Sequence, residues 1–170
     1  MGISKAKGMI LADRFDGIQR KVFVLTGDGE LQEGQIWESL PSAVRHGMGE
    51  LTVIVDHNKV QSDTWVSSVS DLGDLERKFS AFGWEVARCD GHDLEALSMA
   101  LEKLGLVQDR PKILIADTIK GRGVSFMEAP AMDPVEQLYK SHSGAPGQDP
   151  YERGSAELID RINAGLTALG

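Results

Sequence analysis

The chain has 170 residues and a net charge of −8, with 41% hydrophobic and 26% charged content and one cysteine, Cys89. A globular chain of this length buries about two-thirds of its unfolded surface, and a single domain over residues 1–170 is expected. An acidic balance without a basic run argues against nucleic acid, no apolar run nears the ~18 residues of a membrane span, and a lone cysteine rules out an internal disulfide and fits a reducing, cytoplasmic setting.

Gly2 to Arg14 reads as a helix, with Ile3, Ala6, Ile10 and Met9 recurring at helical spacing. Val22 to Thr26 is a short apolar run, read as a buried strand, and it ends on Gly27-Asp28-Gly29. A polar turn, Glu30 to Gly34, leads into a helix from Gln35 to His46 with Ile36, Trp37, Leu40, Ala43 and Val44 on one face. Pro41 lies inside it, and a kink near Glu38 is expected. Leu51 to Val55 is a second strand, ending on Asp56-His57-Asn58-Lys59.

Gln61 to Ser70 lacks periodicity and reads as a loop, and Asp71 to Phe82 returns to helical spacing through Leu72, Leu75, Phe79 and Phe82 before Gly83 stops it. Trp84 to Arg88 alternates as a strand. Asp93 is placed to cap a helix from Leu94 to Leu104, with Leu94, Leu97, Leu101 and Leu104 turned inward. Lys112 to Thr118 is a buried strand, Lys120-Gly121-Arg122-Gly123 a basic loop, residues 127–154 a surface wrap, and Ser155 to Leu169 a closing helix. Strand alternating with helix is the pattern of an α/β, doubly wound parallel sheet with helices on both faces.

In such a sheet the carboxyl ends of the strands share one edge, where ligands bind. Gly27-Asp28-Gly29 and Asn58 both fall just past strand ends. The glycines let backbone approach a phosphate, and Asp28 with Asn58 offers hard oxygen ligands of the kind that suit Mg²⁺ or Ca²⁺. The plain alternative for Asp28 is a turn aspartate bonded to its own backbone.

A Gly-Asp-Gly followed thirty residues past its Asp by an Asn at a strand end resembles the thiamine-diphosphate signature. The wording from Gly27 to Glu38 is similar to transketolase, and the similarity runs from Gly2 to about Pro146. The resemblance implies a thiamine-diphosphate fold, specifically the module that binds the diphosphate, in an enzyme that moves a two-carbon ketol unit from a ketose or ketose-phosphate donor to an aldose acceptor. It implies Asp28, Asn58 and the Val60 carbonyl as metal ligands, and Gly27, Gly29, Glu30, Asn58, Lys120 and His142 as cofactor-binding residues. It puts Glu33 in a polar link between two cofactor sites, with a first-turn helix charge as the alternative. His142 corresponds to the family's loop histidine, with Ser143 inserted before the following glycine; His57 is expected beside the ligands rather than among them.

The opening helix resembles one that in transketolases follows a section supplying further histidines, so the chain is expected to be a domain entered part-way. A pyrimidine-binding domain would have to come from a partner chain, in a heterotetramer or dimer of heterodimers. Two other readings stay open: a component of a 2-oxoacid dehydrogenase or deoxyxylulose-phosphate synthase, and a non-catalytic assembly module.

Overall fold

The computed structural model describes residues 1–62, 64–128 and 144–169. In chain order the elements are α1 (Gly2–Phe15), β1 (Val22–Gly27), a 3-10 turn (Gly29–Gln32), α2 (Gly34–Arg45), β2 (Leu51–His57), the short strands β3 (Val60–Gln61) and β4 (Thr64–Trp65), α3 (Val66–Val69), α4 (Leu75–Ala81), β5 (Glu85–Asp90), α5 (Leu94–Gly105), β6 (Lys112–Asp117) and α6 (Gln148–Leu169). The chain divides into two compact units, one of residues 1–61 and 65–118, the other of residues 62–64 and 119–170.

The first unit is built on a four-stranded, all-parallel sheet in the order β1-β2-β6-β5. Right-handed crossovers decide which face each helix takes. The chain moves from β1 to β2 and onward past β6 to β5 in one direction, so α2 and α4 fall on one face. It then steps back from β5 to β6, which sends α5 to the opposite face. The core agrees: Ile3, Ile10, Ile36, Leu40, Leu75 and Phe79 pack with Leu51, Val53, Val55, Ile113 and Ile115. Leu104 and Leu114 are buried on the other side, outside that cluster.

β6 is fully interior over Lys112–Ala116. Its one long polar side chain, Lys112, is buried because its ammonium donates to the carbonyls of Gly49 and of Val107, the latter at 3.0 Å. Trp37 stacks on Phe79 with ring centroids 5.1 Å apart, and its indole N–H donates to the Leu31 carbonyl at 2.7 Å. That stack adds about 0.5–1.5 kcal/mol beyond the area it buries.

Several expectations are corrected. Among the described residues β1 is an edge strand with only one of its faces covered: Phe23 and Leu25 are 55% and 74% exposed because α5 lies over β5 and β6 instead. In α1 the buried stripe is Ile3, Ala6, Ile10 and Asp13, with Met9 outside it. α4 begins only at Leu75, since Gly73 takes a left-handed φ of 59° and Asp74 caps the Arg77 amide at 3.0 Å. Phe82 closes that helix at its rim rather than in the core. Of the four α5 leucines only Leu104 is buried, and Leu94 is 82% exposed. The 61–70 loop contains two short strands and a turn of helix.

α2 runs through Pro41 as one helix. In the second unit, α6 begins at Gln148, and Leu158, Ile159, Ile162 and Leu166 lie on its exposed side. Its inner side meets residues 124–128: Glu157 accepts from the Ser125 amide and hydroxyl, and Gly154 sits against Val124 and Phe126. No helix among the described residues is long and apolar enough to cross a membrane.

Candidate cofactor site

The carboxyl ends of β1 and β2 are tied through Asp28. Its amide donates to the Asp56 carbonyl at 3.1 Å, which continues the β1–β2 ladder one step past β1. Its carboxylate accepts from the Gly29 amide at 2.7 Å and from the Lys59 amide at 2.5 Å. To aim that amide, Lys59 adopts a left-handed φ of 68°, costly for a residue with a side chain. Asp28 therefore caps its own turn, as the plain alternative expects, and also bridges to the second strand end.

Asp28 is 1% exposed, and burial pushes its carboxyl pKa up despite the two amides that favour the ionised form. A carboxylate buried this way favours a cation brought to it. Asn58 follows β2, and its Oδ1 accepts from the Val60 amide at 2.9 Å, leaving one carbonyl lone pair free. Val60 is buried and supplies a backbone carbonyl two residues on. The carboxylate, the amide oxygen and the carbonyl are hard oxygen donors, the kind that could hold Mg²⁺ or Ca²⁺. Among the described residues no three His, Cys, Asp or Glu groups gather as a metal cluster, and this set needs none.

The two glycines differ. A Cβ built on Gly27 meets nothing within 4 Å, so the chain leaves open the approach that a phosphate needs. A Cβ on Gly29 would lie 2.6 Å from the Cβ of Gln61, so this glycine is required by packing within the chain. Glu30 is held by the Thr26 hydroxyl at 2.7 Å. Glu33, between the 3-10 turn and α2, occupies the N-cap position of α2 without a side-chain cap bond and is 55% exposed. Lys120 belongs to the second unit, in the turn after β6, and is half-buried. His142 lies outside the described residues.

Composition and spacing did not reveal a polar network at the ends of β2, β5 and β6. His57 Nδ1 lies 2.7 Å from Asp117, and Arg88 forks onto both oxygens of that carboxylate at 2.7 and 2.9 Å while also reaching Glu76 at 3.1 Å. The Arg88 guanidinium, ahead of the His57 bond, holds the Asp117 carboxyl at a pKa of about 2. The available signal was register: His57, Asp90 and Asp117 are the terminal residues of three neighbouring strands.

A parallel sheet whose first two strand ends present Gly-Asp-Gly and Asp-His-Asn around one buried carboxylate defines a diphosphate-binding α/β domain. The chain belongs to the transketolase family: residues 2–132 match the model of the transketolase thiamine diphosphate binding domain. It is 36% identical over 144 residues to a 6-deoxy-6-sulfo-D-fructose transketolase subunit from Clostridium sp. (strain MSTE9), covering 82% of this chain and 52% of that protein. It is 32% identical over 161 residues to an apulose-4-phosphate transketolase subunit from Phocaeicola vulgatus, covering 95% of this chain and 54% of that one. Among solved structures it is similar to transketolase from Campylobacter jejuni, with a TM-score of 0.76 and 26% identity over 92% of this chain and 24% of the other. The chain spans about half the length of the curated relatives it matches.

Proposed function

We propose that this chain is the diphosphate-binding subunit or part of a transketolase, transferring a two-carbon ketol unit from a ketose or ketose phosphate to an aldose. Thiamine diphosphate, when bound, supplies the electron sink for that transfer, and the protein's share is grip, orientation and proton handling. Asp28, the Asn58 amide oxygen and the Val60 carbonyl would hold Mg²⁺ or Ca²⁺ against the diphosphate. Gly27 keeps the approach clear, and Gly29 and Glu30 fix the turn that carries Asp28. Lys120 and His142 are assigned to the cofactor, and Glu33 with His142 to proton handling, on the strength of the sequence resemblance. Residues 1–170 are read as one diphosphate-binding domain, supported by a family match over residues 2–132 that extends past the first compact unit into residues of the second.

The aminopyrimidine end of the cofactor is assigned to a partner chain in a cytoplasmic heteromer. Support comes from relatives that are themselves named as transketolase subunits. The observation carrying the whole reading is Asp28, buried between two strand ends with its carboxylate aimed by the Lys59 amide. Isothermal titration of the assembled protein tests it. Asp28→Ala should abolish Mg²⁺-dependent retention of thiamine diphosphate while circular dichroism stays unchanged; equal affinity in variant and wild type would sink the metal assignment.

A further inference from the structure

We propose that Glu76, Arg88, Asp117 and His57 form a fixed relay presenting the Nε2 of His57 to phosphoryl oxygens held beside Asp28. The proposal rests on the cofactor reading above and adds to it a contact residue and its positioning partners.

The relay is anchored from four elements: Glu76 on α4, Arg88 on β5, Asp117 at the end of β6 and His57 at the end of β2. A carboxylate forked by a guanidinium is an acceptor only, so the His57 Nδ1 facing it carries the proton and donates. Arg88 takes both oxygens of Asp117 in a planar fork, which sets the carboxylate's plane and through it the imidazole's. The ring's tautomer and orientation are thus decided by groups behind it. The same arrangement orients histidines that face a metal or a substrate.

The other nitrogen, Nε2, makes no hydrogen bond among the described residues and is not shut off from solvent. His57 lines a cavity of about 260 Å³ together with Asp28, Lys59, Trp65, Ser67 and a second carboxylate, Asp71, one of whose oxygens accepts from the Gly73 amide. The Lys59 ammonium has no ion-pair partner among the described residues, and the Ser67 hydroxyl no hydrogen bond. A cavity that pairs a buried carboxylate with an imidazole, an ammonium and a hydroxyl suits a cation and its phosphoryl counter-ion together. Asp28 serves the cation and the other three serve the oxygens.

The test uses the protein assembled with its pyrimidine-binding partner, this chain labelled with ¹⁵N, titrated with Mg²⁺ and pyrophosphate and then with Mg²⁺ and thiamine diphosphate. The His57 Nδ1 signal should show a protonated nitrogen in the free protein, and the Nε2 signal should shift on adding either ligand. His57→Ala should raise the dissociation constant about tenfold or more, the effect of losing a hydrogen bond to a charged group, with His57→Gln restoring part of it. Arg88→Gln and Asp117→Asn should alter the tautomer signature and weaken binding without touching the ligand. An Nε2 signal that stays still while the wild type saturates, or a His57→Ala variant with wild-type affinity, would overturn the relay and leave the cofactor reading standing. Failure of the wild type to bind either ligand at any accessible concentration would overturn both.

Discussion

At the scale of single residues, two carboxylates at the same sheet edge are driven in opposite directions. Asp28 is pushed up by burial, whereas Asp117 is drawn down to about 2, mainly by Arg88. For Asp117 the folded value lies below the unfolded one, so its stabilisation is complete above about pH 4 and is lost as pH falls toward 2. Its side chain is 35% exposed, and screening reduces the contribution to about 1 kcal/mol. Urea unfolding should therefore show Asp117→Asn less stable than wild type at pH 6 by roughly that amount, with the gap narrowing at pH 3. An equal gap at both values would mean that the pair with Arg88 contributes no pH-dependent stability. Asp28 has the opposite sign: ionising it costs the fold some stability as pH rises past the ordinary carboxylate range.

At the scale of elements, the turn after β1 separates two demands placed on glycine. Gly29→Ala forces a Cβ onto Gln61 and should destabilise the fold by about 1–3 kcal/mol. Gly27→Ala should leave the melting temperature nearly unchanged and weaken binding of Mg²⁺ and pyrophosphate instead. The reverse pattern in paired melting and titration experiments would mean the two roles are misassigned. The site's element pair was legible in the sequence, because Gly-Asp-Gly and Asp-His-Asn each follow an apolar strand. So was β6, since an unbroken apolar run fits only an interior position. Burial of whole faces was less legible. Phe23 and Leu25 read like core residues, yet what covers a face depends on where a helix returns, which spacing within β1 does not encode. Leu94 failed for the same reason, as α5 turns only part of its leucine-rich surface to the sheet. The His57–Asp117–Arg88 network joins residues up to 60 positions apart, beyond any local pattern.

At the scale of the whole molecule, the cofactor reading sets an expectation about activity. Ketol transfer should be absent from the purified chain and should appear on mixing with a chain that carries a pyrimidine-binding domain. Gel filtration would report the complex and a donor-plus-acceptor assay the turnover. Robust transfer by the 170-residue chain alone would refute the requirement for a partner. The strand order has a consequence of another kind, in time rather than space. β5 is made before β6, yet among the described residues β6 is its sole neighbour in the sheet, lying between it and β2. While the chain is being synthesised, β5 therefore waits without a hydrogen-bonding partner until residues 112–117 emerge. Only with that central strand in place can β5 join β1 and β2 in one sheet.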